Sequence, residues 1–171
     1  MEFRRAVEAD INHILNIIHQ AQEYLKETGI DQWQNGYPDM ETIKRDIENK
    51  HGYVLSNAGK IAGTIAVSFD GEKTYNDIYE GAWLTPDWYA VIHRLAVDGS
   101  LKGTGLASVM INEAEKICRR KSVSGIRVDT HEKNISMQRL LKKNGFAYCG
   151  IIYLEDRSKR LAFEKILRQE N

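Results

Sequence analysis

The sequence predicts a mixed α/β (α+β) fold, with a central sheet that is antiparallel in its early part and includes a βαβ unit in its second half. Three observations carry this prediction. Apolar residues recur with a period of two in some stretches and about 3.6 in others, in the order β-α-α-β-β-β-α-β-α-β-β. The apolar run Ile92 to Val97 feeds through the glycine-spaced turn Lys102-Gly103-Thr104-Gly105 into a helical pattern, Leu106 to Glu115. Finally, 171 residues with no internal repeat and no low-complexity linker suit one domain, taken as residues 1–171, with a substantial core.

Taken in order, Glu2 to Ala6 reads as a short first strand. Asp10 opens a long amphipathic helix with Ile11, Ile14, Leu15, Ile18, Ala21, Gln22 and Leu25 at helical spacing, and Gly29 closes it. Residues 31–38 form a loop by their Asn-Gly and Pro signals. Asp39 caps a second helix reaching about Lys50, with Met40, Ile43 and Ile47 on one side. Tyr53 to Ser56 and Lys60 to Phe69 make a hairpin around Asn57-Ala58-Gly59. Asp70 to Asp87 is polar, irregular and turn-rich, and the central strand runs from about Trp88 to Val97. Gly125 to Thr130 is the next strand. A helix then starts at Asn134 and ends at Asn144-Gly145, and Phe146 to Leu154 and Leu161 to Leu167 complete the sheet.

Composition excludes several classes of function. Lys+Arg and Asp+Glu balance at 24 each, so no overall field draws the chain to nucleic acid or to a membrane. The run Arg119-Arg120-Lys121 reads as a helix C-terminus matched to its dipole. No apolar run reaches the length of a membrane span, and no apolar segment follows Met1 to Arg5 as a secretory signal would require. Cys118 and Cys149 form no CxxC pair, which points to a reduced, cytoplasmic setting. They and His131 lack metal-ligand spacing, so no metal is assigned.

The strand–turn–helix stretch carries the chemistry. A helix start leaves N–H groups without intrahelical acceptors, and the helix dipole favours negative charge there. Gly103 and Gly105 let the backbone approach a bound group with no Cβ in the way, and Lys102 at the mouth of the turn adds a positive charge. The arrangement predicts a phosphate cradle formed by Lys102, Gly103, Thr104, Gly105, Leu106, Ala107 and Ser108. Taken alone, the two glycines are equally compatible with a tight turn that needs positive φ.

Lys102-x-x-Gly105-x-Ala107 after Leu95-Ala96-Val97 resembles motif A of the GNAT superfamily of N-acetyltransferases, with Lys where Arg or Gln is usual. About thirty residues on, Asn134-x-x-Met137-x-x-Leu140-Leu141-Lys142-Lys143-x-Gly145-Phe146 resembles its motif B. The resemblance implies a GNAT-like three-layer fold and acetyl-CoA as donor, its pyrophosphate held by the turn amides. It also implies pantetheine pairing along Leu95, Ala96 and Val97, and cofactor contacts from Asn134, Ser136, Met137, Leu140 and Lys143. Asn134 is in any case a helix N-cap by position.

His93 is a candidate base because an ordinary imidazole titrates near neutrality; two residues before Leu95, it is expected on the same side of the strand. Asp129 aligns with an acidic base of some family members, its alternative reading being a strand-end carboxylate bonded to a turn. Leu141 stands where many members carry a tyrosine acid, so Tyr153 or a water is expected to protonate the leaving thiolate. Among Trp33, Tyr37, Trp83, Trp88 and Tyr89, the acceptor-side candidates are Trp33 and Trp88, with Glu80 beside them. The expected activity is acetyl transfer to a primary amine of a small molecule, without an acyl-enzyme; a homodimer is allowed for. The alternatives are a non-catalytic acyl-CoA binder, which Leu141 favours, and a dinucleotide-binding oxidoreductase. The last draws on the degraded Gly103-x-Gly105-x-x-Ser108 and the later Asp129.

Overall fold

A computed structural model describes residues 1–168 of the chain. Its strands are β1 (Glu2–Arg5), β2 (Gly52–Asn57), β3 (Lys60–Ser68), β4 (Tyr89–Val97), β5 (Gly125–Thr130), β6 (Ala147–Tyr153) and β7 (Lys159–Ile166). Its helices are α1 (Ile11–Glu27), α2 (Met40–Glu48), α3 (Leu106–Arg120) and α4 (Ile135–Lys143). The expected order of elements is the observed one. Strand order in the sheet is β1-β2-β3-β4-β5-β7-β6. β4 and β5 are parallel, while β1–β2, β2–β3, β5–β7 and β6–β7 are antiparallel. The described chain packs as two units, Met1–Val67 with His93–Glu113, and Ser68–Ile92 with residues 114–168.

In the first unit the core lies under α1. Ile11, Ile14, Leu15, Ile17 and Ile18 pack with Ala6, Ile43, Val54 and Ala96. Ile17 widens the expected apolar stripe, so α1 buries a broad face, as a helix on a sheet requires. Asp10 opens α1 as expected, standing at its N-cap position, although its side chain makes no capping bond to the helix. It ends a 3-10 turn, and its carboxylate takes two N–H bonds from Arg4 at 2.7 and 3.0 Å and one from Val7 at 2.9 Å. The Arg4 bond, opposed by burial, holds that carboxyl below its usual range. α1 ends as predicted at Gly29, which takes φ +71 while Ile30 N–H returns to Leu25 O at 2.8 Å. Asp39 caps α2 by accepting from Thr42 N–H at 2.9 Å. Met40, expected on the apolar side of that helix, is exposed because it occupies the first helical position, before the buried stripe begins.

β3 and α3 come close at Gly63. A Cβ there would stand 2.6 Å from Met110 Cε, the flexible end of a side chain that can shift, and 3.1 Å from Ala96 O, so a larger residue would crowd the main chain of β4.

In the second unit the segment between β3 and β4, expected to be irregular, is tied down at many points. Tyr79 and Ile151 exchange two main-chain bonds at 2.8 Å, which extends the sheet past β6 and covers that strand's edge. Gly81 lies so close to this strand that an added Cβ would overlap Cys149 O. Trp83 Nε1–H donates to Tyr75 O at 2.8 Å, and Trp88 Nε1–H to Phe69 O at 3.0 Å. A buried ion pair completes the anchoring. Arg127 and Glu164 meet at 3.2 Å with side chains 6% and 0% exposed. Glu164 Oε2 also accepts Leu84 N–H at 2.6 Å, and Arg127 Nη2 donates to Thr85 O at 2.5 Å. The guanidinium lies between the rings of Trp83 and Tyr89, 4.3 and 3.8 Å from their centroids. Apolar packing joins these polar anchors, with Tyr75, Ile78 and Trp83 set against Val91, Ile152 and Ala162.

Candidate functional site

The candidate residues fall into two sets, one in each unit. The first unit brings together His93, Leu95, Ala96, Val97 and Lys102 to Ser108, with Trp33 packed on the α1 core. The second holds Asp129, Tyr153, Asn134, Ser136, Met137, Leu140, Lys143, Glu80 and Trp88.

The cradle is built from the end of β4 onward. Asp98 N–H donates to Ala62 O at 2.9 Å, which pins the strand exit. The Asp98 carboxylate then caps a 3-10 turn, Gly99–Leu101, by accepting from Ser100 N–H at 3.0 Å. Thr104 Oγ1 donates to Leu101 O at 2.5 Å, and Val109 N–H to Gly105 O at 3.1 Å, which starts α3. Gly103 and Gly105 adopt φ +76 and +86, and nothing lies within 4 Å of where either Cβ would stand. The glycines are therefore needed for backbone conformation, and the space in front of them is open. Helix geometry leaves the N–H groups of Leu106 and Ala107, in the first turn of α3, without an acceptor inside the helix. No acidic residue lies in the first turn of α3, so the positive end of the dipole is uncompensated there.

α1 braces this turn through residues that sequence reasoning did not single out. Gln20 Oε1 accepts Gly99 N–H at 2.6 Å, and its amide donates to Asp98 Oδ2 at 3.3 Å. Four residues on, the face of Tyr24 receives the Lys102 ammonium, 3.2 Å from the ring centroid. Lys102, expected at the mouth of the turn, is thus held against α1, and burial lowers its pKa against the pull of Glu27. The only sequence signal for this brace is the i, i+4 spacing of Gln20 and Tyr24.

β4 is not a regular strand at its functional end. Arg94 takes φ +51, between His93 and Leu95. The expectation that His93 and Leu95 share a face assumed unbroken alternation, which Arg94 interrupts. His93 is half-buried. Burial, with Arg94 and His51 adding to it, pushes its pKa down to about 3. The premise of an ordinary imidazole near neutrality therefore fails in the fold: His93 is neutral throughout the working range and a weak base.

In the second unit Asp129 accepts from Tyr75 Oη at 2.6 Å. Burial raises the Asp129 pKa, with Tyr75 and Arg160 opposing, and pushes that of Tyr75 well above its usual value. Asn134 is the N-cap of α4, its Oδ1 accepting Met137 N–H at 3.1 Å. Met137 and Leu140 are half-buried on that helix, and Ser136 and Lys143 are exposed. Leu141 is fully buried, so the position carries core packing and no proton donor. Tyr153 is half-exposed and meets Tyr79 edge-on, centroids 5.5 Å apart. Glu80 is exposed with φ +54, and Trp88 is exposed. Burial pushes the Cys118 thiol up to about 12 and Cys149 up to about 11. Among the described residues no cluster of three or more His, Cys, Asp or Glu is placed to hold a metal, and no helix is long and apolar enough to cross a membrane.

A glycine turn opening α3, a capped α4 and a mixed sheet in this order define an acyltransferase-type fold. Comparison with known proteins gives the family. The profile of the acetyltransferase (GNAT) family matches residues 18–146, and the chain belongs to that family. A GNAT-family acetyltransferase from Streptococcus agalactiae 2603 is 35% identical, with a TM-score of 0.89 over 98% of this chain and 95% of its own. One from Listeria monocytogenes 4b F2365 is 26% identical, with a TM-score of 0.75 over 97% and 94%. No curated protein sequence matches. Membership makes the chain an N-acetyltransferase of a family that generally takes its acyl group from acetyl-CoA, and it displaces the dinucleotide-binding reading.

Proposed function

We propose that this chain transfers the acetyl group of acetyl-CoA directly to the primary amine of a small molecule. The observation that carries the reading is the turn at Gly103 and Gly105, left-handed at both glycines and open in front of both. An anion at the start of a 15-residue helix is favoured by its N–H groups and its dipole. A diphosphate fits that chemistry, with the main-chain N–H groups of Gly103 and Gly105 to Ala107 as donors. Lys102 is close enough in sequence to leave Tyr24 for it.

Acetyl-CoA supplies a thioester already activated toward attack and a good leaving thiolate. Leu95, Ala96 and Val97 offer main-chain groups to an extended amide-bearing arm and N–H donors to the developing oxyanion. Holding donor and acceptor side by side contributes through proximity. A neutral His93 accepts a hydrogen bond from the incoming amine and relays its proton to water, since its imidazole is too weak a base to retain it. With Leu141 buried, protonation of the thiolate falls to Tyr153 or to water. Direct transfer is supported by the cysteines: both are buried with raised pKa values, so neither offers the thiolate that an acyl-enzyme needs.

A second reading, a non-catalytic acyl-CoA binder, draws on Leu141. Free thiol followed during incubation with acetyl-CoA and a panel of amines separates the two. Amine-dependent thiol release, with the acetylated product seen by mass spectrometry, is expected. Binding of CoA without release for any amine supports the binder and removes the transfer reaction.

A further inference from the structure

The left-handed backbone at Arg94 lies inside β4, where a non-glycine residue holds such a conformation only if its surroundings fix it. The surroundings here are specific. Arg94 Nε donates to Asp46 Oδ2 and Nη2 to Asp46 Oδ1, both at 2.6 Å, a two-pronged grip on one carboxylate. The third nitrogen, Nη1, donates to Tyr37 Oη at 3.0 Å. The Arg94 and Asp46 side chains are 13% and 10% exposed, so the grip is shielded from water. Both partners are themselves held. Asp46 lies on α2 and its carbonyl accepts His51 N–H at 2.8 Å. Tyr37 sits in a loop fastened to α1 by Gln22 Nε2, which donates to Tyr37 O at 2.9 Å and Pro38 O at 3.2 Å. Each of the three guanidinium nitrogens thus donates to an anchored acceptor, and the residue whose backbone is strained is the one so held.

We propose that Arg94 is a positioning residue: clamped by Asp46 and Tyr37, it fixes the turn in β4 and so sets the direction of the main-chain groups of Leu95 to Val97. The inference rests on the acetyl-transfer reading, in which those groups meet the thioester. Arg94 touches no reacting atom in this scheme. Released from its clamp, residue 94 relaxes toward an extended backbone. One such change reorients every peptide after it until the Asp98 anchor to Ala62. The cradle at Gly103 and Gly105 lies beyond that anchor, so its grip on phosphate is preserved.

The test is the double variant Arg94→Met/Asp46→Leu, which removes both charges together and leaves neither buried alone. We expect its affinity for ADP, which carries the diphosphate without the amide-bearing arm, to stay within about threefold of wild type by calorimetry while kcat falls on the order of 100-fold, as a misplacement of about 1 Å produces. Wild-type kcat in the folded variant overturns the proposal, as does a parallel loss of ADP affinity and kcat, which indicates general damage. Should the double variant fail to fold, Arg94→Lys and Tyr37→Phe replace it. Each removes a contact of the fork and is expected to lower kcat several-fold with ADP affinity retained; unchanged kcat in both overturns the clamp. If the wild-type protein binds CoA but transfers to no amine, the parent reading fails, and the clamp is judged on amide chemical shifts. Shifts of residues 94 to 97 that move in the variant uphold it, and unmoved shifts overturn it.

Discussion

His93 and Asp129 both depart from their ordinary titration, in opposite directions and with burial as the leading cause. For His93 the folded pKa lies near 3 and the ordinary value is 6.5. Unfolded chains therefore bind a proton across that interval that folded ones do not, so its contribution to stability is complete above pH 6.5 and is lost as pH falls. Thermal denaturation from pH 7 to 4 is expected to show a shallower acid-side decline in His93→Gln than in wild type. The same variant is expected to lower kcat/KM by a constant factor across pH 6 to 9, because His93 does not change charge there. An acid limb that moves with the substitution contradicts this assignment. For Asp129 the structure favours the hydrogen-bonded reading: Oδ2 is committed to Tyr75. Neither environment is legible from sequence, since both arise where residues far apart in the chain close around one carboxylate or one imidazole.

At the scale of elements, helices and strands are legible wherever apolar periodicity is strong, as in α1 and in β5, whose bounds Gly125–Thr130 match the expected ones. Motif A predicts the start of α3 because the glycines are needed for φ, a local property. The 69–88 segment is the counterexample. Its order comes from Glu164, Arg127, Asp129 and Ile151, which lie on three strands at the other end of the sequence. The clamp at Arg94 is not legible in sequence for the same reason: Asp46 is 48 residues away. The buried Arg127–Glu164 pair gives a direct stability test. Glu164→Gln removes one charge and leaves the other buried, so it is expected to cost about 3 kcal/mol or more in denaturant unfolding. The double variant Arg127→Met/Glu164→Leu leaves no unpaired charge and is expected to recover part of that loss. A Glu164→Gln protein as stable as wild type means the pair is not what anchors the loop.

At the scale of the whole molecule, the family and the fold follow from two short motifs in the right order on an α/β pattern, and comparison with known proteins bears both out. The acceptor is not legible, because no motif in the loops of either unit specifies an amine. Every step of the proposed reaction depends on one local fact, that the left-handed glycine turn before α3 holds the donor's phosphates. Calorimetric titration of CoA into wild type and Gly105→Val tests this most directly. Valine is strained at φ +86 and places a branched Cβ in the open space before the turn. The account predicts binding to wild type and an affinity loss of about tenfold or more in the variant, equivalent to at least ~1.4 kcal/mol. Equal affinity in a folded Gly105→Val protein would contradict it.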